Sequence, residues 1–145
     1  MNKIYVVYYS GSGNTKTMAE FIGKGIEDSS VKAEVVDVSE LTPDVLKDEK
    51  VFALGCPSMG DEVLEDEMED FVAAVEVFSS GKKIALFGSY GWGDGQWMRD
   101  WQERMTTAGA TILNEEGLIT QDSPDEEAKQ KCINLGKMLA KEMGK

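Results

Sequence analysis

The sequence predicts a three-layer α/β sandwich: a five-stranded parallel sheet of order 2-1-3-4-5 with helices on both faces. Short apolar runs alternate with longer segments of helical periodicity along the 145 residues, the pattern of successive β-helix-β units. Glycine-rich loops follow three of those runs. In an open parallel sheet all such loops lie at one end, where the chain reverses direction and ligands bind.

Each element has its own signal. "IYVVYY" (4–9) is continuous and rich in β-branched residues, as in a strand covered on both faces. Met18, Ile22 and Ile26 fall at i, i+4 and i+8, which predicts a helix beginning near residue 14. "EVVDV" (34–38) alternates more and suits an edge strand. The link 39–50 is weakly patterned, with one short helix behind Pro43. "VFALGC" (51–56) and "IALFGS" (84–89) read as central strands. Between them, Leu64, Met68, Phe71 and Val75 make a helical stripe. Trp97, Trp101 and Met105 repeat every fourth residue and read as core. "GLIT" (117–120) is the last strand, with a short additional piece at "TIL" (111–113). The final helix buries Cys132, Leu135 and Leu139 and is predicted to start at Ser123 as N-cap, with Pro124 next and Glu126 completing a capping box.

Composition narrows the function. The length suits one domain with a substantial core. No apolar stretch reaches membrane-spanning length and the N-terminus lacks a signal-peptide pattern, so a cytoplasmic protein is expected. Cys56 and Cys132 form no CxxC pair and read as buried apolar groups. Histidine is absent, which removes Ser-His-Asp and Cys-His catalysis and the commonest metal ligand. Fifteen basic against 27 acidic side chains give a net charge of −12. Such a chain repels nucleic acid and anionic membranes, and its charged partners are expected to be basic.

The loops are "SGSGNT" (10–15), "PSMGDE" (57–62) and "SYGWGDG" (89–95). In the first, two glycines let successive N–H groups turn inward at a helix N-terminus, with Ser10, Ser12, Asn14 and Thr15 adding polar groups. That is a nest for a phosphate. The G-x-G-x-x-G pattern fails because Lys16 stands where the third glycine belongs, and the Walker pattern fails because Thr15 precedes Lys16. A monophosphate bound by neutral donors remains. A phospho-accepting receiver is excluded, since "YSGSG" and "LGCPS" occupy its acidic positions. Trp92, on a glycine strip without helical periodicity, is free to lie flat against another ring. A phosphate nest facing an aromatic plate fits flavin mononucleotide (FMN).

Together "SGSGNT", "GCPSMGDE" and "LFGSYGWGDGQWMRDW" closely resemble the flavodoxins, over residues 3 to about 143. Flavodoxin is itself a standard case of the 2-1-3-4-5 order. There is no room between residues 109 and 124 for a long-chain insertion, so the resemblance is to short-chain members such as those of anaerobic bacteria. It implies a flavodoxin-like electron carrier whose non-covalent FMN cycles between semiquinone and hydroquinone. By the same resemblance, Ser10, Gly11, Ser12, Gly13, Asn14 and Thr15 hold the phosphate. Pro57, Ser58, Met59, Gly60, Asp61 and Glu62, with Ser89, Tyr90, Gly91, Trp92 and Gly93, line the isoalloxazine. Trp92 stacks on its outer face, Met59 stands where some relatives carry an inner plate, and Glu62 reaches the pyrimidine edge. Lys16 is expected to be solvated. The implied partners are reductases and iron–sulfur oxidoreductases with basic docking surfaces, and the carrier is expected to be a monomer.

Two residue-level expectations concern redox tuning. The Gly60–Asp61 peptide can rotate to present a carbonyl to the flavin, because Gly60 has no Cβ. Seven of the ten residues in "DEVLEDEMED" (61–70) are acidic, and their field disfavours a flavin anion. The competing readings are an FMN-dependent NAD(P)H quinone or azo reductase, for which Tyr90 is the one candidate proton donor, and a non-redox nucleotide-binding module.

Overall fold

The computed structural model describes residues 3–114 and 117–144. Strands β1 (Lys3–Tyr8), β2 (Lys32–Asp37), β3 (Val51–Gly55), β4 (Lys83–Tyr90), β5 (Thr111–Ile112) and β6 (Leu118–Gln121) alternate with four helices. These are α1 (Asn14–Asp28), α2 (Asp66–Glu76), α3 (Gln96–Thr107) and α4 (Glu126–Met143). The weak link carries one-turn helices at Val38–Glu40 and Pro43–Leu46, the second behind Pro43 as expected. The sheet runs β2-β1-β3-β4-β5, and β6 also pairs with β4. Every strand pair is parallel, so the predicted order and helix layers hold.

The count of five strands becomes six because the last strand is interrupted. β5 pairs with Lys83–Ile84 and β6 with Phe87–Tyr90. Leu86, in the gap, would leave its backbone groups unpaired in a buried strand, which is costly. Asn114 fills the place: its Oδ1 accepts the Leu86 N–H at 3.3 Å, and its Nδ2 donates to the Leu86 carbonyl at 2.8 Å. A side-chain amide thus stands in for a strand peptide.

The pleat sorts side chains to two cores. Ile4 and Val6 of β1 face α1 and α4, joining Met18, Ile22, Ile26, Leu135 and Leu139. Val7 faces the other way, with Phe52, Leu54, Phe71, Val72 and both Trp97 and Trp101. Strands β3 and β4 are buried on both faces, while β2 stays partly open at the sheet edge. Both cysteines lie in these cores.

One predicted boundary is corrected. Helix α4 begins at Glu126, and its N-cap is Asp125, whose carboxylate accepts the Ala128 N–H at 2.8 Å. Aspartate caps as well as serine does. The shift leaves Pro124 outside the helix and frees the Ser123 hydroxyl, which donates to Asn14 Oδ1 at 3.2 Å.

Candidate functional site

Because the sheet is parallel, the loops after β1, β3 and β4 emerge side by side. Their roots are joined by buried polar contacts: Thr15 Oγ1 lies 2.8 Å from Ser89 Oγ, and the Ser58 N–H donates to the Ser89 carbonyl at 3.0 Å. Beneath them, Trp97 is buried as predicted, and its Nε1 donates to the Cys56 carbonyl at 3.1 Å. Tyr90 packs on Trp97 with ring centroids 5.6 Å apart.

The first loop has the convergent donors of an anion nest. The N–H groups of Gly13 and Lys16 both donate to Ser10 Oγ, at 3.0 and 3.2 Å, and that of Asn14 donates to Ser12 Oγ at 3.5 Å. These are neutral acceptors at the N-terminus of α1, where a phosphate oxygen makes stronger, charge-assisted bonds. The Lys16 side chain is exposed.

In the second loop the Glu62 N–H donates to the Met59 carbonyl at 2.9 Å and the Met59 N–H to the Val63 carbonyl at 3.0 Å. Gly60, Asp61 and Glu62 therefore form a three-residue hairpin loop, and Glu62 takes the left-handed place at φ 52° where glycine is usual. That conformation costs a residue with a Cβ about 1 kcal/mol. Glu62 does not simply point at open space: its Oε1 accepts the Asp94 N–H at 3.2 Å.

In the third loop Trp92 is 61% exposed. A large indole left open on a loop rooted at the buried Ser89 is what a stacking plate requires. A Cβ built on Gly11, Gly13 or Gly60 would meet no atom within 4 Å, so backbone in the first two loops is open to close approach by a ligand. These residues fit a flat, phosphorylated ring such as FMN.

A fourth segment was missed by sequence reasoning. After β6 the Asp122 N–H donates to the Tyr90 carbonyl at 2.8 Å, and Gln121 Nε2 donates to the Gly91 carbonyl at 3.4 Å. With Ser123 on Asn14, this segment ties the first loop to the third. The available signal was its position: it too follows a strand at the carboxyl end of the sheet.

The charge environment is acidic but partly neutralised. The Glu65 carboxylate caps α2 through the Met68 N–H at 2.9 Å, with Asp66, Glu67 and Glu69 in the first turn. Arg104 pairs with Glu69 and Glu76, each at 2.6 Å, and its guanidinium holds the Glu69 carboxyl below the usual range. Burial pushes both thiols, Cys56 and Cys132, up to about 12, so neither ionises at neutral pH. Among the described residues no group of His, Cys, Asp and Glu is arranged to hold a metal ion, and no helix is long and apolar enough to cross a membrane.

Fold and loops together define a doubly wound α/β protein whose loops at the switch point fit a phosphorylated aromatic ring. The flavodoxin family model matches residues 6–136. The chain is 52% identical to Clostridium beijerinckii flavodoxin over 136 residues, covering 93% of this chain and 97% of that one. It is 38% identical to Megasphaera elsdenii flavodoxin, covering 95% and 98%. A solved flavodoxin from the domain Archaea superposes with a TM-score of 0.88 at 32% identity, covering 99% of both chains. The chain belongs to the flavodoxin family, FMN-binding carriers of electrons between proteins.

Proposed function

We propose that this chain is a single-domain, low-potential carrier that passes single electrons on FMN held by residues 10–15, 57–62 and 89–93. The observation that carries this reading is the exposed Trp92 on the loop after β4, together with the Gly13 and Lys16 N–H groups that converge on Ser10 Oγ in the loop after β1. Bound there, FMN supplies reversible one-electron chemistry. The nest fixes the phosphate end, and Trp92 and Met59 keep water from the two ring faces. The Gly60 carbonyl, with its peptide rotated, would accept a hydrogen bond from an N–H of the central ring. Glu62 and the acidic first turn of α2 raise the energy of added negative charge.

Anaerobic potentiometric titration with FMN bound tests the whole. Two well-separated one-electron steps are expected. A single two-electron step, with turnover of nicotinamide and quinone without added reductase, would establish the reductase reading instead. Protein that does not quench FMN fluorescence would revive the non-redox reading.

Gly60→Ala tests the carbonyl. The extra methyl meets open space in the observed conformation, so folding is unaffected. The rotated form is penalised by about 1 kcal/mol, which lowers the first potential by about 40 mV. A potential equal to that of the native protein rules this role out. Added salt screens the surface carboxylates and is expected to move the second step to a less negative potential. If that step does not shift between low and high ionic strength, surface charge does not tune it.

The same acidic face steers basic redox partners, reductases and iron–sulfur oxidoreductases among them, toward the flavin edge. A cytoplasmic monomer leaves that edge free for donor and acceptor in turn.

A further inference from the structure

Asp94 closes the Trp92 loop and is gripped from two sides. Its N–H donates to Glu62 Oε1 at 3.2 Å. Its carbonyl accepts from Arg99 Nη1 at 3.0 Å, and its carboxylate from Arg99 Nη2 at 2.9 Å. The same Nη2 donates to Gln96 Oε1 at 2.9 Å, which seats the guanidinium on the first turn of α3. Gly93 lies so close to Glu62 that a Cβ there would stand 1.9 Å from its Oε1. The loop is therefore held at Tyr90 and Gly91 by residues 121–122 and at Asp94 by Glu62 and Arg99, while Trp92 between them stays open.

We infer that Arg99 is a positioning residue: acting through Asp94, it holds the Trp92 loop against the Glu62 turn before any ligand arrives. This rests on the reading that Trp92 faces the flavin ring. An exposed ion pair by itself contributes little. Here the planar fork binds a backbone carbonyl and a carboxylate of one residue at once, a geometry that a lysine ammonium does not reproduce. A loop ordered in advance loses less freedom when the ring docks, and that difference appears as affinity.

Arg99→Lys keeps the charge and removes the fork, and Arg99→Ala removes both. In the FMN-free protein, amide exchange at Asp94 is expected to accelerate about fivefold or more in both variants, with the unfolding midpoint unchanged. FMN affinity, read by fluorescence quenching, is expected to fall about three- to tenfold in both. If Arg99→Lys matches the native protein in both measurements, the fork has no positioning role and the proposal is wrong. If the native protein itself fails to bind FMN, the site reading fails, while the amide exchange still decides whether Arg99 orders the loop.

Discussion

Gly25→Ala is expected to cost about 2 kcal/mol of stability, and Gly25→Leu to leave the chain largely unfolded. Helices α1 and α4 cross at two glycines. A Cβ on Gly25 would stand 2.0 Å from the Ile133 carbonyl oxygen, and one on Gly136 would stand 2.0 Å from that of Ile22. A side chain could swing aside, but a helix carbonyl cannot, so the helices must part. Parting opens the core built from Ile22, Ile26, Cys132, Leu135 and Leu139. Overpacking of this kind costs about 1–3 kcal/mol and sometimes more. Alanine recovers up to about 1 kcal/mol through its better helix propensity, and leucine adds volume that has nowhere to go. Against a typical stability of about 5–15 kcal/mol, the second loss is severe. Urea unfolding of the FMN-free protein measures both without ligand linkage. An unchanged midpoint for Gly25→Ala would mean that the crossing can widen freely.

Trp92→Ala is expected to weaken FMN binding roughly 5- to 150-fold, the effect of losing about 1–3 kcal/mol of ring stacking. The fold should not notice, because the indole is 61% exposed and belongs to neither core. Trp92→Phe retains a plate and should recover most of the affinity. Flavin fluorescence quenching gives the dissociation constants, and thermal unfolding of the free protein provides the control. Native affinity in Trp92→Ala would place the stacking surface elsewhere. Lower stability together with lower affinity would make Trp92 a packing residue.

The strands, the helices and the strand order were legible because periodicity is a local property. Burial on both faces leaves a continuous apolar run, and a helix face leaves a spacing of three and four. The turned first loop and the open Trp92 were legible for a related reason: glycine and small polar residues after a strand change what the backbone can do there. Trp97 and Trp101 were rightly set apart from Trp92 by spacing alone, and both are buried.

Partners distant in sequence were not legible. Ser123 looked like a helix cap, yet it bonds Asn14, 109 residues away. Nothing near Asn114 announces that its amide completes the ladder at Leu86. The acidic run 61–70 looked uniform, but Arg104 of α3 neutralises part of it through Glu69. Glu62 was read as a ligand to the flavin edge, and its contact with Asp94 exists because two loops meet. By itself the sequence determined the class of fold, the end of the sheet where the glycine-rich loops gather and the chemistry those loops offer. Only the tertiary structure decided which polar atoms satisfy one another, because a hydrogen bond depends on positions to within a few tenths of an ångström, set when the sheet brings its loops together.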